Sequence, residues 1–136
     1  MARSITETSQ QKDLYTEESR KKLAALALRL FDKWNLNTEQ RLNLLGMRPS
    51  SRAVLGKYKK GSPLPPSRDV IDRVGWLLGV HKSLRLLYPE NEDIRYTWIR
   101  RRNKVFENKT PIEVMTEEGL LGVAKVARYL DHLRGM

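Results

Sequence analysis

The spacing of apolar residues constrains the fold of this 136-residue chain more than any other feature, because it repeats at the three- and four-residue steps of a helix face. An early stripe follows Thr16 and predicts a long amphipathic helix that carries Leu23, Leu26, Leu30 and Trp34. The last stripe predicts a helix that ends at Gly135 and consists of Leu120, Val123, Ala127, Leu130 and Leu133. No segment favours a β-strand. The sequence therefore predicts an all-α protein of about six or seven helices.

Helix-start signals define a cassette near the C-terminus. Thr110, Pro111 and Glu113 combine an N-cap, a proline at the first helical position and the glutamate of a capping box. Thr116, followed by two glutamates, predicts a second helix start directly afterwards. Upstream, Ser67 predicts the start of a long helix whose apolar positions are Val70, Ile71, Val74, Leu77, Leu78, Leu84 and Leu87.

A proline-rich segment, S-P-L-P-P-S, divides the chain, because three prolines cannot continue a helix. We expect one compact domain or two small lobes that share a core. The predicted organisation is a flexible arm over residues 1–15, a helix-turn-helix-like DNA-binding domain over 16–61, a linker over 62–67 and a small helical domain over 68–136.

The first half is strongly basic where it resembles a helix-turn-helix. The chain has 26 Lys and Arg against 16 Asp and Glu, a formal net charge of +10 that favours a polyanionic partner. Asn37, with Gln40 three residues on, predicts the start of a helix over about Thr38–Leu45, which Gly46 ends. A third helix follows, capped by Ser50 or Ser51 with Val54, Leu55 and Tyr58 inward. The candidate DNA contacts, with Arg52 as the base contact, are Arg48, Ser50, Ser51, Arg52, Lys57, Lys59 and Lys60.

The turn after Gly46 is about three residues longer than in an ordinary helix-turn-helix. This leaves open a basic, solvated helix on an ordinary bundle. The cations that follow Trp98 leave a similar choice, between a solvated helix end and the rim of a partner-binding surface. Trp98 itself is more typical of a core than of an interface, because Ile94 shares its face.

Several functional classes lack the residues they need. There is no cysteine, and the two histidines, His81 and His132, lie far apart without a relay partner, so we expect neither a bound metal nor an enzyme. Both phosphate-cradling glycine motifs are absent, and no cofactor is expected. No apolar run approaches a membrane span and no secretory signal is evident, so we expect a cytoplasmic protein.

The order of the cassette resembles the C-terminal toxin-binding domain of the Xre/MbcA/ParS antitoxin family. The matching positions are Trp98, Thr110 with Pro111, Gly119, and the run from Leu130 to Gly135, and the resemblance spans roughly residues 67–135. It implies that residues 68–136 form a toxin-binding domain and that the partner is a RES-domain toxin that degrades NAD. The implied toxin contacts are Arg100, Arg101, Tyr129, His132, Leu133, Arg134, Gly135 and Met136.

The resulting hypothesis is the antitoxin of a type II toxin-antitoxin pair. It would occlude a RES-type toxin through its second half and repress its own operon through its first half, as a homodimer on double-stranded operator DNA and as a hetero-oligomer with the toxin. Two alternatives remain open at this stage. One is a stand-alone helix-turn-helix transcriptional regulator, and the other is a protein-interaction module whose DNA binding is vestigial.

Overall fold

The computed structural model describes residues 13–136, and the all-α prediction is confirmed there. No strand forms in this part of the chain apart from an isolated bridge between Asn103 and Lys109. Three 3₁₀ turns, Pro49–Ser51, Trp98–Arg100 and Lys104–Phe106, connect the helices. The α-helices whose whole length is described are α1 (Glu17–Lys33), α2 (Thr38–Leu44), α3 (Ala53–Lys59), α4 (Arg68–Leu87), α5 (Glu92–Thr97), α6 (Pro111–Glu117) and α7 (Gly119–Leu133).

The capping residues predicted for α1, α2 and α4 act as predicted. Thr16 accepts a hydrogen bond from the Ser19 amide at 3.1 Å, and Ser67 caps α4 in the same way. Asn37 and Gln40 form a capping box at the start of α2. Most of the predicted N-terminal arm, residues 1–12, lies outside the described residues.

One hydrophobic core runs through both halves of the chain. Helix α4 packs against α1 on one side and α7 on the other, so that residues from both sides of the proline-rich segment are buried together. The fully buried members include Phe31, Trp34, Val74, Leu77, Leu84 and Leu130. Because the burial of apolar surface is the main favourable term in folding, the two halves stabilise each other.

The proline-rich segment itself is fixed to α1. The Leu64 side chain is completely buried, and its amide donates to the Arg20 carbonyl oxygen at 3.2 Å. The Arg20 guanidinium in turn donates to the Leu64 carbonyl oxygen at 2.8 Å. A second link between the two halves is the hydrogen bond that the Asn43 side-chain amide donates to the Thr116 carbonyl oxygen at 3.1 Å. Residues 62–67 therefore connect two parts of one folded unit.

Two predicted helix starts are wrong. Thr116 lies inside α6, where its hydroxyl donates to the Ile112 carbonyl oxygen at 2.9 Å. Helix α7 begins only at Gly119, whose φ of +65° turns the chain. Neither Ser50 nor Ser51 caps α3. Both lie in a 3₁₀ turn that runs directly into α3 through Arg52, whose backbone is already helical, so no extended N-cap residue exists.

Candidate toxin-binding and DNA-binding surfaces

The C-terminal end of α7 is closed by a specific backbone motif. Gly135 takes a φ of +82°, and its amide donates to the His132 carbonyl oxygen at 3.0 Å. The Met136 amide donates to the Asp131 carbonyl oxygen, also at 3.0 Å. This pair of hydrogen bonds is the Schellman motif, which satisfies carbonyl groups that a frayed end would leave to water. The end of the chain is therefore a fixed surface, as the predicted helix-ending role of Gly135 requires.

Four of the predicted toxin contacts are exposed at this end. Leu133 is 42% exposed and Met136 is 76% exposed, while His132 and Gly135 are also exposed. The core ends at Leu130, so Leu133, the last residue of the apolar stripe of α7, lies in solvent. Two apolar side chains left in solvent beside a rigid helix end form a surface suited to partner burial.

Arg134 is docked against the neighbouring helix. Its Nη1 donates to the Oγ of Ser83 on α4 at 3.1 Å and lies 3.6 Å from the Asp131 carboxylate. The Arg134 side chain is only 23% exposed as a result. Ser83, which is buried and was not among the predicted site residues, holds this arginine in place. Its signal in the sequence is a serine on the otherwise apolar face of α4.

Beneath the C-terminal end lies an aromatic cluster. The Tyr129 ring stacks on Trp98 at 6.4 Å between centroids and meets the edge of Phe106 at 5.4 Å. Trp98 is 8% exposed, so it belongs to the core, as its shared face with Ile94 indicated. Tyr129 is half-buried. Among the predicted toxin contacts, Tyr129 therefore belongs both to the partly exposed surface and to the aromatic cluster.

Helix α6 begins with a capping box and packs closely against α7. Thr110 accepts from the Glu113 amide at 3.1 Å, and the Thr110 hydroxyl and amide donate to the Glu113 carboxylate. The two hydrogen bonds that the carboxylate accepts lower the pKa of Glu113, and the one from the Thr110 hydroxyl has the larger effect. Across the α6–α7 junction, a Cβ on Gly122 would collide with the Val114 carbonyl oxygen, so only glycine allows the two helices to pack this closely.

The cations after Trp98 mostly serve local structure. Arg101 donates to the Thr97 hydroxyl at 3.1 Å and pairs with Asp93 at 3.4 Å. Arg102 donates to the Asn108 carbonyl oxygen at 2.9 Å. Arg100 is exposed. Among the predicted toxin contacts in this segment, Arg101 has local partners, whereas none is described for Arg100.

The candidate DNA contacts lie on one exposed basic segment. All are exposed except Ser51, which is half-buried. The ion pairs among the described residues include none of its cations: Arg48, Arg52, Lys57, Lys59 and Lys60. Tyr58 is buried and anchors α3, as predicted, with Val54 and Leu55 half-buried beside it.

The packing around α3 differs from that of an ordinary helix-turn-helix. Helix α3 packs against α1, whereas α2 packs against the 3₁₀ turn Pro49–Ser51 and against α6 and α7. The extra length seen in the sequence after Gly46 includes this 3₁₀ turn. Helix α3, which carries the candidate base contact Arg52 just before its first residue, is therefore held mainly by α1.

Neither a cluster of metal-ligating side chains nor a membrane-spanning helix is found among the described residues. Among them, no three side chains of the metal-ligating types are grouped as a metal site would require. None of the helices described is long and apolar enough to cross a membrane.

The fold is that of a small all-α protein, with two exposed apolar side chains at its C-terminal surface. A family model for the antitoxin Xre/MbcA/ParS C-terminal toxin-binding domain matches residues 83–135. The chain is also 31% identical over 107 residues to the uncharacterized protein y4oB of Sinorhizobium fredii (strain NBRC 101917 / NGR234), covering 79% of this chain and 80% of that protein. The chain belongs to the Xre/MbcA/ParS antitoxin family. Membership indicates an antitoxin with a toxin partner and a regulatory, non-enzymatic role.

Proposed function

We propose that this protein is the antitoxin of a type II toxin-antitoxin system that occludes an NAD-degrading toxin of the RES type. The observation that carries the proposal is the closed C-terminal end of α7, which lies inside the matched toxin-binding domain and exposes Leu133 and Met136. A preformed apolar end loses little conformational entropy when it enters a cleft, so it is suited to steric exclusion of a substrate.

The RES class follows from the family resemblance, because the partners of these antitoxins include RES-domain toxins that degrade NAD. The positions of Tyr129, His132 and Arg134 support an inhibitory role for the end of α7. Tyr129 anchors it in the aromatic cluster and Arg134 ties it to α4, so the exposed side chains are presented in one geometry.

Autorepression is the second half of the proposal. The five cations of residues 48–60 lie in solvent with no described carboxylate partner, which suits contacts with DNA phosphates. A homodimer would place two such segments on a two-fold operator. The packing of α3 mainly against α1 favours one competing possibility, namely that this surface binds DNA weakly and without sequence preference.

The test separates the two surfaces with matched variants. The chain is co-expressed with the product of the adjacent gene, and NAD consumption by that partner is measured with and without the chain. Leu133→Asp should restore NAD consumption, because it places a carboxylate in the buried interface, whereas Leu121→Asp, on the same helix at 82% exposure, should not. Equal effects of the two substitutions, or a partner that consumes no NAD, would contradict the toxin proposal.

Operator binding is measured on the same proteins. Arg52→Ala with Lys57→Ala should weaken binding to the upstream DNA. The slope of log affinity against log salt concentration should become shallower by about one for each phosphate contact that is removed. Neutralisation of the toxin should be unchanged. Affinity that is equal for the operator and for unrelated DNA would instead establish the interaction module with vestigial DNA binding.

A further inference from the structure

A basic cleft lies between α1 and α4, lined by residues other than the predicted toxin contacts. It has a volume of about 530 Å³, within the range of small-ligand pockets. Each helix lines it with residues at positions i, i+3, i+4 and i+7, so one face of each helix meets the other across the cleft. These residues are Leu26, Arg29, Leu30 and Lys33 on α1, and Leu78, His81, Lys82 and Arg85 on α4.

The charge in the cleft has one sign. Arg29, Lys33, Lys82 and Arg85 line it, no Asp or Glu lines it, and the ion pairs of the described residues include none of these four cations. All four side chains are exposed, so water screens their mutual repulsion, and their positive potentials add at the cleft. A ligand with several negative charges can contact more than one of them at once.

The floor of the cleft is apolar and aromatic. Leu30 is buried, and Leu78 is half-buried beside it. The Tyr96 ring from α5 closes one side, with His81 stacked at 5.4 Å between centroids and the Lys33 ammonium 5.5 Å from the ring centre. An inorganic ion would leave this apolar surface in water, whereas an organic ligand would bury it.

His81 provides an independent sign of an unfilled interaction. Its Nδ1 is buried and has no hydrogen-bond partner among the described residues. Buried polar nitrogens in native proteins are nearly always paired.

We propose that the α1–α4 cleft binds a small organic anion of the nucleoside phosphate class. The four cations engage the phosphates, and Leu30 and Leu78 contact the apolar part of the nucleoside. A DNA duplex is a poor fit, because its convex backbone would touch the rim of the concavity and leave the floor uncovered. The Lys82 side of the cleft adjoins the concavity that Asp131 and Arg134 line, and the proposal does not depend on the identity of the toxin.

The first test is titration calorimetry of the full chain with ATP, adenosine and tripolyphosphate as separate probes. ATP should bind at a single site per chain and more tightly than either adenosine or tripolyphosphate, because only ATP fills both the cationic rim and the apolar floor. Lys82→Ala with Arg85→Ala should weaken ATP binding about tenfold or more, since each removes a charge-assisted contact. Arg29→Ala with Lys33→Ala should do the same from the facing helix.

The matched control is Lys59→Ala with Lys60→Ala, which removes the same charge from exposed positions outside the cleft. This variant should bind ATP as the unsubstituted protein does. An equal loss in both pairs would show that ATP responds only to net charge and would overturn the proposal. The absence of ATP binding would also overturn the proposal. A DNA duplex that displaces ATP, and that itself binds the cleft variants more weakly, would overturn it as well.

A spectroscopic readout tests the location directly. Because His81 and Tyr96 stack inside the cleft, their ring proton resonances should shift on addition of ATP. Shifts confined to residues 48–60 would place the ligand on the other basic surface and contradict the cleft.

Discussion

The guanidinium of Arg134 donates a hydrogen bond from Nη1 to the Oγ of Ser83, at a distance of 3.1 Å. These two residues lie at opposite ends of the segment matched by the toxin-binding family model, residues 83–135. Their contact closes the segment on itself, since it fixes the C-terminal end of α7 to the C-terminal part of α4. The exposed end of the chain is consequently positioned by a residue 51 positions earlier in the sequence.

The Arg134–Ser83 contact should show as an energetic coupling between the two side chains. Ser83→Ala and Arg134→Ala are each expected to lower the free energy of unfolding, and the double variant should lose less than the sum, with a coupling of about 0.5–1.5 kcal/mol. Urea denaturation of the four proteins measures it. Additive losses would mean that the hydrogen bond does not stabilise the end of α7.

Gly122 should tolerate no side chain. Because a Cβ there meets the Val114 carbonyl oxygen, which belongs to the backbone of α6, Gly122→Ala is expected to force α6 and α7 apart and to destabilise by about 1–3 kcal/mol. Gly75→Ala is the control, since nothing lies within 4 Å of its added Cβ. It should stabilise α4 by about 0.5–1 kcal/mol. Thermal unfolding of both variants compares them, and a neutral Gly122→Ala would contradict the close approach.

The helices of this protein were largely predictable because their signals are local. Thr16, Asn37, Ser67 and Thr110 each cap the helix that the sequence assigned to them, since capping requires only a side chain and an amide three residues on. The errors arose where backbone geometry overrides composition. Thr116 has the residue type of a cap, yet α6 continues through it until Gly119 turns the chain.

The long-range contacts were not predictable from one sequence. Nothing near Leu64 indicates that the proline-rich segment is buried against Arg20, and nothing near Arg134 indicates Ser83. The basic cleft is an intermediate case. The pattern of leucine and cation at i, i+3, i+4 and i+7 is visible on both α1 and α4, but only the packing of the two helices shows that these faces meet.

The capping box of α6 should tie stability to pH through Glu113. Thr110 hydrogen bonds lower the pKa of this carboxyl group in the folded state, so its contribution is present above the ordinary glutamate pKa and is lost as the pH falls through the lowered value. Thr110→Ala should return the Glu113 pKa towards its ordinary value and cost about 1 kcal/mol through the lost cap. Carboxyl NMR titration and urea denaturation measure the two effects. An unchanged Glu113 pKa in Thr110→Ala would show that the capping box is not the cause.

His81 should titrate below the ordinary histidine value of 6.5. Burial is the largest cause of its lowered pKa, and the positive charges of Arg85 and then Arg95 add to it; the Lys33 and Lys82 ammonium groups share the same cleft. Because the folded state disfavours the charged imidazole, the contribution of His81 to stability is present above 6.5 and is lost as the pH falls through its lowered pKa.

Arg85→Ala is therefore expected to raise the His81 pKa without restoring it fully, since burial remains. Imidazole NMR titration measures this value, with His81→Gln to assign the resonance and Lys57→Ala as a control that removes a cation outside the cleft. In urea denaturation at several pH values, His81→Gln should lose stability less steeply than the unsubstituted protein as the pH falls below 6.5. An equal rise of the His81 pKa in Lys57→Ala would attribute the shift to the net charge of the protein, and the local field of the cleft would then have no part in it.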